Sequence, residues 1–253
     1  MGVIGKIIGG TVGFALGGPL GMVAGIAFGN LFDRAKEYTR PISEQPLSQS
    51  EQSEALYFVA LFSMLGKMAM ADGRLLEEER KVVDSFIYND LKLDRQSGAF
   101  AQQVFLASLS SQGTFEQYAQ QFYQNFSAQQ PLVETMIDIL VRVALADGRI
   151  SSAEDALLTR AATIFGISQS LLHSIKERYG GVKTSSSKAY ATLGLTSSAT
   201  NEEIKKAYRK RSIEFHPDSI ASKGLPEEFT LFATEQFRLI REAYETIRKE
   251  RNF

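Results

Sequence analysis

Residues 7–32, IIGGTVGFALGGPLGMVAGIAFGNLF, carry no charge. Set as an α-helix, this run is about 39 Å long, against roughly 30 Å of bilayer hydrocarbon. It predicts a single transmembrane helix with some tilt. Lys6 precedes the run, and Arg34, Lys36 and Arg40 follow it. The excess of basic residues after the span predicts a cytoplasmic C-terminal side. A cleaved signal peptide would have a shorter apolar region and a small-x-small cleavage site with a polar exit. The run is too long and no such site follows, so residues 1–33 read as an uncleaved anchor. A re-entrant hairpin is the lesser reading, because each arm would be too short to span.

The glycines of this run are in register. Gly5, Gly9, Gly13, Gly17, Gly21, Gly25 and Gly29 recur at every fourth position, so successive members lie close to one helical stripe. No hydrophobic force draws helices together in lipid, and small residues at this spacing let two backbones approach closely. The stripe predicts a homodimer through the membrane helix. The plainer reading is a glycine-rich span without a partner, since glycine is common in membrane helices. Pro19, directly after Gly17 and Gly18, predicts a kink.

Beyond the anchor the chain is polar through residues 34–54, which read as a linker with two prolines. Residues 55–180 show only helical periodicity, at about 55–71, 76–88, 95–108, 114–125, 131–146, 151–164 and 168–178, and no period-two strand. A glycine- and serine-rich linker, residues 181–188, leads to a last helical segment, residues 189–253. The predicted fold class is therefore all-α. The chain of 253 residues has no cysteine, two histidines and a net charge of -1. That excludes a disulfide scaffold and a cysteine-ligated zinc site, and it gives no global field to attract nucleic acid.

Two stretches 75 residues apart align without gaps: AMADGRLLEEE at 69–79 and ALADGRISSAE at 144–154. Each pairs an aspartate with an acid seven residues later, Asp72 with Glu79 and Asp147 with Glu154. One reading is helix punctuation. Gly73 or Gly148 makes the left-handed turn that ends one helix, and Ser151 with Glu154 forms a capping box at the start of the next. The first copy has Leu76 where the box needs serine yet keeps Glu79, so capping alone leaves that acid unexplained. The other reading is a divalent cation. Each turn matches the second half of a calcium loop, but Met68, Met70, Val143 and Leu145 stand where the first-half oxygens belong. Only the two turns together could offer enough carboxylate oxygen. An enzyme built on these four acids would need a cleft with a perturbed acid or a bound metal, and the sequence displays neither. The duplicated helical pattern resembles the TerB-like, tellurite-resistance-associated fold. That resemblance implies a pseudo-duplicated bundle whose acidic turns are candidate metal ligands.

In the last segment, Thr200 and Glu203 form a capping box for a helix over NEEIKKAYRKRSIEF. Ile204, Ala207 and Tyr208 lie on its apolar side, while Lys205, Lys206, Arg209 and Lys210 lie toward another. His216-Pro217-Asp218 ends this helix, because proline fixes φ and removes an N–H. A final helix from about Glu227 to Lys249 carries Phe237, Ile240, Ala243, Tyr244 and Ile247 as its core stripe. The tripeptide has no activated nucleophile or third orienting group near it in the sequence, which argues against a catalytic triad. YATLGL, EEIKKAYRK, HPD and FRLIREAYETI together resemble the J domain of the DnaJ family, in order and spacing. The resemblance implies a helical hairpin whose His216, Pro217 and Asp218 contact a DnaK-type ATPase chaperone and trigger its ATP hydrolysis. It also implies that Lys205, Lys206, Arg209 and Lys210 dock on an acidic groove of that partner. A basic helix face considered alone is equally a solvated surface.

The order of anchor, TerB-like region and terminal J domain is similar to that of the DjlA-type membrane-anchored co-chaperones. GKIIG at the start, FDRAK at the exit of the span and KGLP after the tripeptide fit the same pattern. A soluble DnaJ puts its J domain first and follows it with a glycine-rich region and a zinc domain; this chain has neither in those places, and with no cysteine that zinc domain cannot form. The resemblance implies a non-enzymatic co-chaperone of the bacterial inner membrane, single-pass, with its C-terminal domains cytoplasmic. A scaffold or sensor of envelope or metal stress, whose TerB-like region binds an ion or signalling partner, is the alternative.

Overall fold

The structure is a computed structural model that describes residues 16–34, 48–180, 185–221, 226 and 229–253. The regular elements among them are helical: α1 (Gly18–Arg34), α2 (Gln49–Ala69), α3 (Glu77–Ser85), a π-helical turn (Phe86–Asp90), α4 (Arg95–Ser110), α5 (Phe115–Phe126), α6 (Gln130–Ala144), α7 (Ser152–Ile164), α8 (Gln169–Gly180), α9 (Ser185–Thr192), α10 (Asn201–Glu214), α11 (Pro217–Ala221) and α12 (Thr230–Arg251).

The apolar N-terminal run does not continue as one helix through its glycine pair. Gly17 and Gly18 have φ of 56° and 59°, a left-handed conformation that interrupts a right-handed helix. Pro19 then suits the first turn of α1, where its missing N–H is no loss. Gln121 of α5 stitches the break. Its Oε1 accepts from the Leu20 N–H at 3.0 Å, and its Nε2 donates to the carbonyls of Leu16 and Gly17 at 3.1 and 2.9 Å. From there α1 packs on α2, α4 and α5, burying Leu20, Val23, Ala24 and Ala27. Among the described residues, no helix is long and apolar enough to cross a membrane. In its described part, the expected span is broken at Gly17 and Gly18, beside the kink expected at Pro19, and α1 runs on from there. Of the glycine stripe, Gly21 is buried. Gly25 and Gly29 are exposed, with nothing within 4 Å of where a Cβ would stand. Gly5, Gly9 and Gly13 lie outside the described residues, as does most of the 34–54 linker.

The helix expected from residue 55 starts at Gln49. Ser48 caps it: the Ser48 N–H donates to Glu51 at 2.8 Å, and the Glu51 N–H donates to the Ser48 hydroxyl at 3.3 Å. The central helix α2 is buried from Ala55 to Gly66. Its aromatic side chains hold the bundle together. Tyr57 meets Phe122 and Phe126 edge-on at 5.5 and 5.8 Å, and Phe58 stacks on Phe100 at 5.9 Å. Aromatic pairs in such geometries add about 0.5–1.5 kcal/mol each beyond the area they bury. Gly66 lets α2 lie directly on α4, since a Cβ there would stand 1.9 Å from the Ser108 hydroxyl and 2.8 Å from the Phe105 carbonyl oxygen.

The C-terminal elements form a hairpin of α10 and α12 braced by α9. Tyr208 stacks on Tyr244 across it at 4.1 Å. Ile204, Phe215, Ile240, Ala243 and Ile247 are buried, whereas Phe237 and Tyr244 of the expected stripe are half-buried. Arg251 fastens the end of the chain to the turn before α10, donating to the Ala199 carbonyl and the Tyr190 hydroxyl at 2.6 Å each. Phe229, just before α12, is fully buried on the other side of the hairpin. Its ring lies 5.5 Å from Tyr57 and 6.3 Å from Phe58 of the α2 bundle.

Candidate functional site

The candidate site is the surface that α10 and the following turn present to solvent. Its helix begins as the sequence predicts. Glu203 accepts from the Thr200 N–H at 2.7 Å, and the Thr200 hydroxyl accepts from the Glu203 N–H at 3.2 Å. The two bonds satisfy two backbone donors that a helix start leaves open, and the Thr200 N–H together with its hydroxyl, which donates to the same carboxylate at 2.9 Å, holds the Glu203 carboxyl below its usual range. Ile204 then faces the core, and Lys205, Lys206, Arg209 and Lys210 are all exposed. Lys205 lies over the Phe253 ring at 5.1 Å, and Lys210 is 3.8 Å from Glu214. Ile213, which the sequence pattern passes over, sits one turn beyond Arg209 on the same face and is 71% exposed. It is the most exposed large apolar side chain among the described residues. Arg211 points the other way and pairs with Glu134 of α6.

At the tip, Pro217 opens the short helix α11, so the backbone turns where the sequence says it must. The His216 side chain is half exposed and that of Asp218 almost wholly so. The Asp218 N–H donates to His216 Nδ1 at 3.3 Å, and the imidazole packs edge-on against Phe237 at 5.4 Å. The ring is therefore oriented by the turn and by α12, with Nδ1 engaged in holding the turn. Its carboxylate neighbour is 3.8 Å from Nδ1, too far for the tight base–orienter hydrogen bond of acid–base chemistry. The arrangement is a stiff, exposed polar knuckle beside a basic face.

The acidic turns form a second candidate cluster. Gly73 and Gly148 have φ of 86° and 93°, the left-handed turns expected of them. Glu79 accepts from the Leu76 N–H at 2.7 Å, Glu154 from the Ser151 N–H at 2.9 Å, and Asp147 from the Arg149 N–H at 3.1 Å. Capping thus accounts for Glu79 as well as Glu154: the carboxylate half of the box operates even where Leu76 cannot supply the hydroxyl half. Burial pushes the Glu79 carboxyl up, and the charges of Glu154, Asp72 and Asp147 add to this. The two turns therefore feel each other electrostatically. Among the described residues, no group of three or more histidine or acidic side chains is placed to hold a metal ion.

Glu79 yields a prediction with a defined sign. Its raised folded-state pKa favours the protonated form, so its contribution is fully present below the ordinary carboxylate value. That contribution is lost as pH rises through the raised one. At neutral pH the ionised group opposes folding. Glu79→Gln keeps an acceptor for Leu76 and removes the charge. Because Glu79 is only partly buried and solvent screens its acidic neighbours, the gain in stability expected at pH 7 is small, at most about 0.5 kcal/mol, and it vanishes as pH falls through that window. Thermal unfolding of both proteins across pH checks this. A marked loss of stability on substitution, with calcium stabilising only the parent, would instead favour an ion held by both turns.

Three family models match the chain. The tellurite resistance protein TerB model covers residues 58–177, the DnaJ domain model residues 188–252, and the co-chaperone DjlA transmembrane domain model residues 1–46. Among curated relatives, the co-chaperone protein DjlA of Shewanella oneidensis is 31% identical, over 88% of this chain and 88% of its own length. The DjlA of Photobacterium profundum is 31% identical over 98% and 99%, and that of Coxiella burnetii 30% over 100% and 99%. No solved structure matches the chain.

Proposed function

The chain belongs to the DjlA family of co-chaperones, and from that premise we propose that it recruits a DnaK-type chaperone to the bacterial inner membrane and stimulates its ATPase. The observation that carries this reading is the tip of the C-terminal hairpin. His216, Pro217 and Asp218 stand on a stiff exposed turn, flanked by the outward cations of α10. The four basic side chains steer an acidic partner into register. Ile213 among them offers an apolar contact of the kind that gives an interface its dry centre. The protein is not itself an enzyme: the hydrolysis occurs in the partner. The TerB-like region selects what is delivered there.

The match of residues 1–46 to a family transmembrane domain, with the uncharged run 7–32, supports a single-pass anchor whose C-terminal domains are cytoplasmic. The open positions of Gly25 and Gly29 beside exposed Met22 and Ile26 support a homodimer through this segment. The test is single-turnover ATP hydrolysis by the cognate chaperone, with and without the full chain. Acceleration is expected, and it should weaken as salt screens the basic face. No acceleration of a demonstrably active chaperone would overturn the reading.

A further inference from the structure

The face of the hairpin opposite the basic side chains is held by the TerB-like region. Asp138 of α6 is buried, with its side chain 5% exposed, and a buried carboxylate is stable only when its oxygens are well satisfied. Here three donors serve it. Arg178 Nη1 donates to Oδ1 at 2.6 Å, the Tyr179 hydroxyl to Oδ2 at 2.6 Å, and Gln236 Nε2 to Oδ2 at 2.8 Å. Arg178 and Tyr179 belong to α8, but Gln236 belongs to α12 of the hairpin. Arg178 also donates to Gln236 Oε1 at 2.9 Å, so both ends of that amide are engaged. Burial, and then the Asp138 charge, raise the Tyr179 phenol well above its ordinary value, consistent with a hydroxyl that stays a donor. One turn earlier on α6, Glu134 pairs with Arg211 of α10. Phe229 completes the seam among the aromatic side chains of α2.

We propose that the TerB-like region is a docking surface for the chain's own J hairpin. Glu134 and Asp138 grip α10 and α12 from behind, and Asp138 is the positioning residue. The two acids are four residues apart and so lie on one side of α6; each reaches one helix of the hairpin. The consequence is fixed presentation. While the seam is closed the hairpin keeps one orientation on the bundle, and its basic face with His216 and Asp218 is exposed among the described residues. What the outward face meets rests on the chaperone reading above; the docking itself does not.

The test uses the full chain and its lack of cysteine. Ala128→Cys on the bundle and Lys249→Cys on α12 are exposed positions for a pair of nitroxide labels, and pulsed electron resonance reads the distance between them without any chaperone present. One narrow distance is expected. Gln236→Glu sets a second carboxylate against Asp138 and should replace that narrow distance with a broad spread. Adding Asp138→Asn returns one carboxylate and one amide to the seam, with Arg178 still facing an acid, and should restore the narrow distance. An unchanged helical circular dichroism signal in Gln236→Glu distinguishes undocking from unfolding. A broad spread in the parent protein, a narrow one in Gln236→Glu, or a spread that the exchange does not reverse would each overturn the proposal. Stimulation of the chaperone is measured separately, so failure of the docking and failure of the chaperone reading are distinguished.

Discussion

His216→Gln is expected to remove the acceleration of ATP hydrolysis altogether while leaving the melting temperature of the protein within about 2 °C of the parent. The first half of the expectation follows from the proposed role. The imidazole is held by the Asp218 N–H on one side and the Phe237 ring on the other. Glutamine keeps hydrogen-bonding capacity but not a flat, oriented ring. The second half follows from exposure: the His216 side chain is half in solvent and fills no core position. A large loss of stability would mean that the substitution acts through the fold. Retained acceleration, measured in the same single-turnover assay, would mean that the turn is not what the chaperone reads.

Gly66→Ala should cost about 2 kcal/mol of stability, a fall of roughly 4–8 °C in melting temperature for a chain of this size. Propensity alone predicts the opposite, because alanine inside a helix is favoured over glycine by about 0.5–1 kcal/mol. The crossing of α2 and α4 decides the sign. The added methyl meets both the Ser108 hydroxyl and the Phe105 carbonyl oxygen, and these two are themselves hydrogen-bonded at 2.7 Å. The hydroxyl can be removed, but the carbonyl belongs to the backbone of α4 and moves only with the helix. Ser108→Ala added to Gly66→Ala should therefore recover part of the loss and not all of it. Thermal unfolding of the single and double variants separates the two contacts.

Much of the helical layout was legible because its boundaries are chemical. Thr200 with Glu203, Ser151 with Glu154, and glycines at 73 and 148 mark helix ends by hydrogen-bonding capacity and backbone freedom, which a sequence displays directly. The start of α2 was missed because its cap, Ser48 with Glu51, lies inside a polar stretch and the apolar period begins only at Ala55. The π turn at Phe86–Asp90 leaves no period to read, since its extra residue per turn shifts the pattern by one position. At the candidate site, the tripeptide and the cations were visible as motifs. The seam behind them was not. Asp138 and Gln236 are 98 positions apart, and each in isolation is an ordinary polar residue on an amphipathic helix. Phe229 falls inside the helix expected from about Glu227, whose core stripe is read only from Phe237 onward, and the structure places it just before α12. Only folding brings these residues together, and nothing local in the sequence encodes that pairing.

The packing of α1 carries a thermodynamic constraint. Leu20, Val23, Ala24 and Ala27 can be withdrawn from water only once. While α1 lies on α2, α4 and α5, their apolar surface is already dry, and Gln121 already satisfies the backbone at Leu16, Gly17 and Leu20. A bilayer competing for the same residues therefore gains only the difference between lipid and protein surroundings, not the full transfer from water. It must also leave Gln121 without these partners. If this segment is the proposed anchor, its undocking and its insertion would be two halves of one equilibrium, and by reciprocity whatever tightens the bundle around α1 would draw it away from lipid to the same degree.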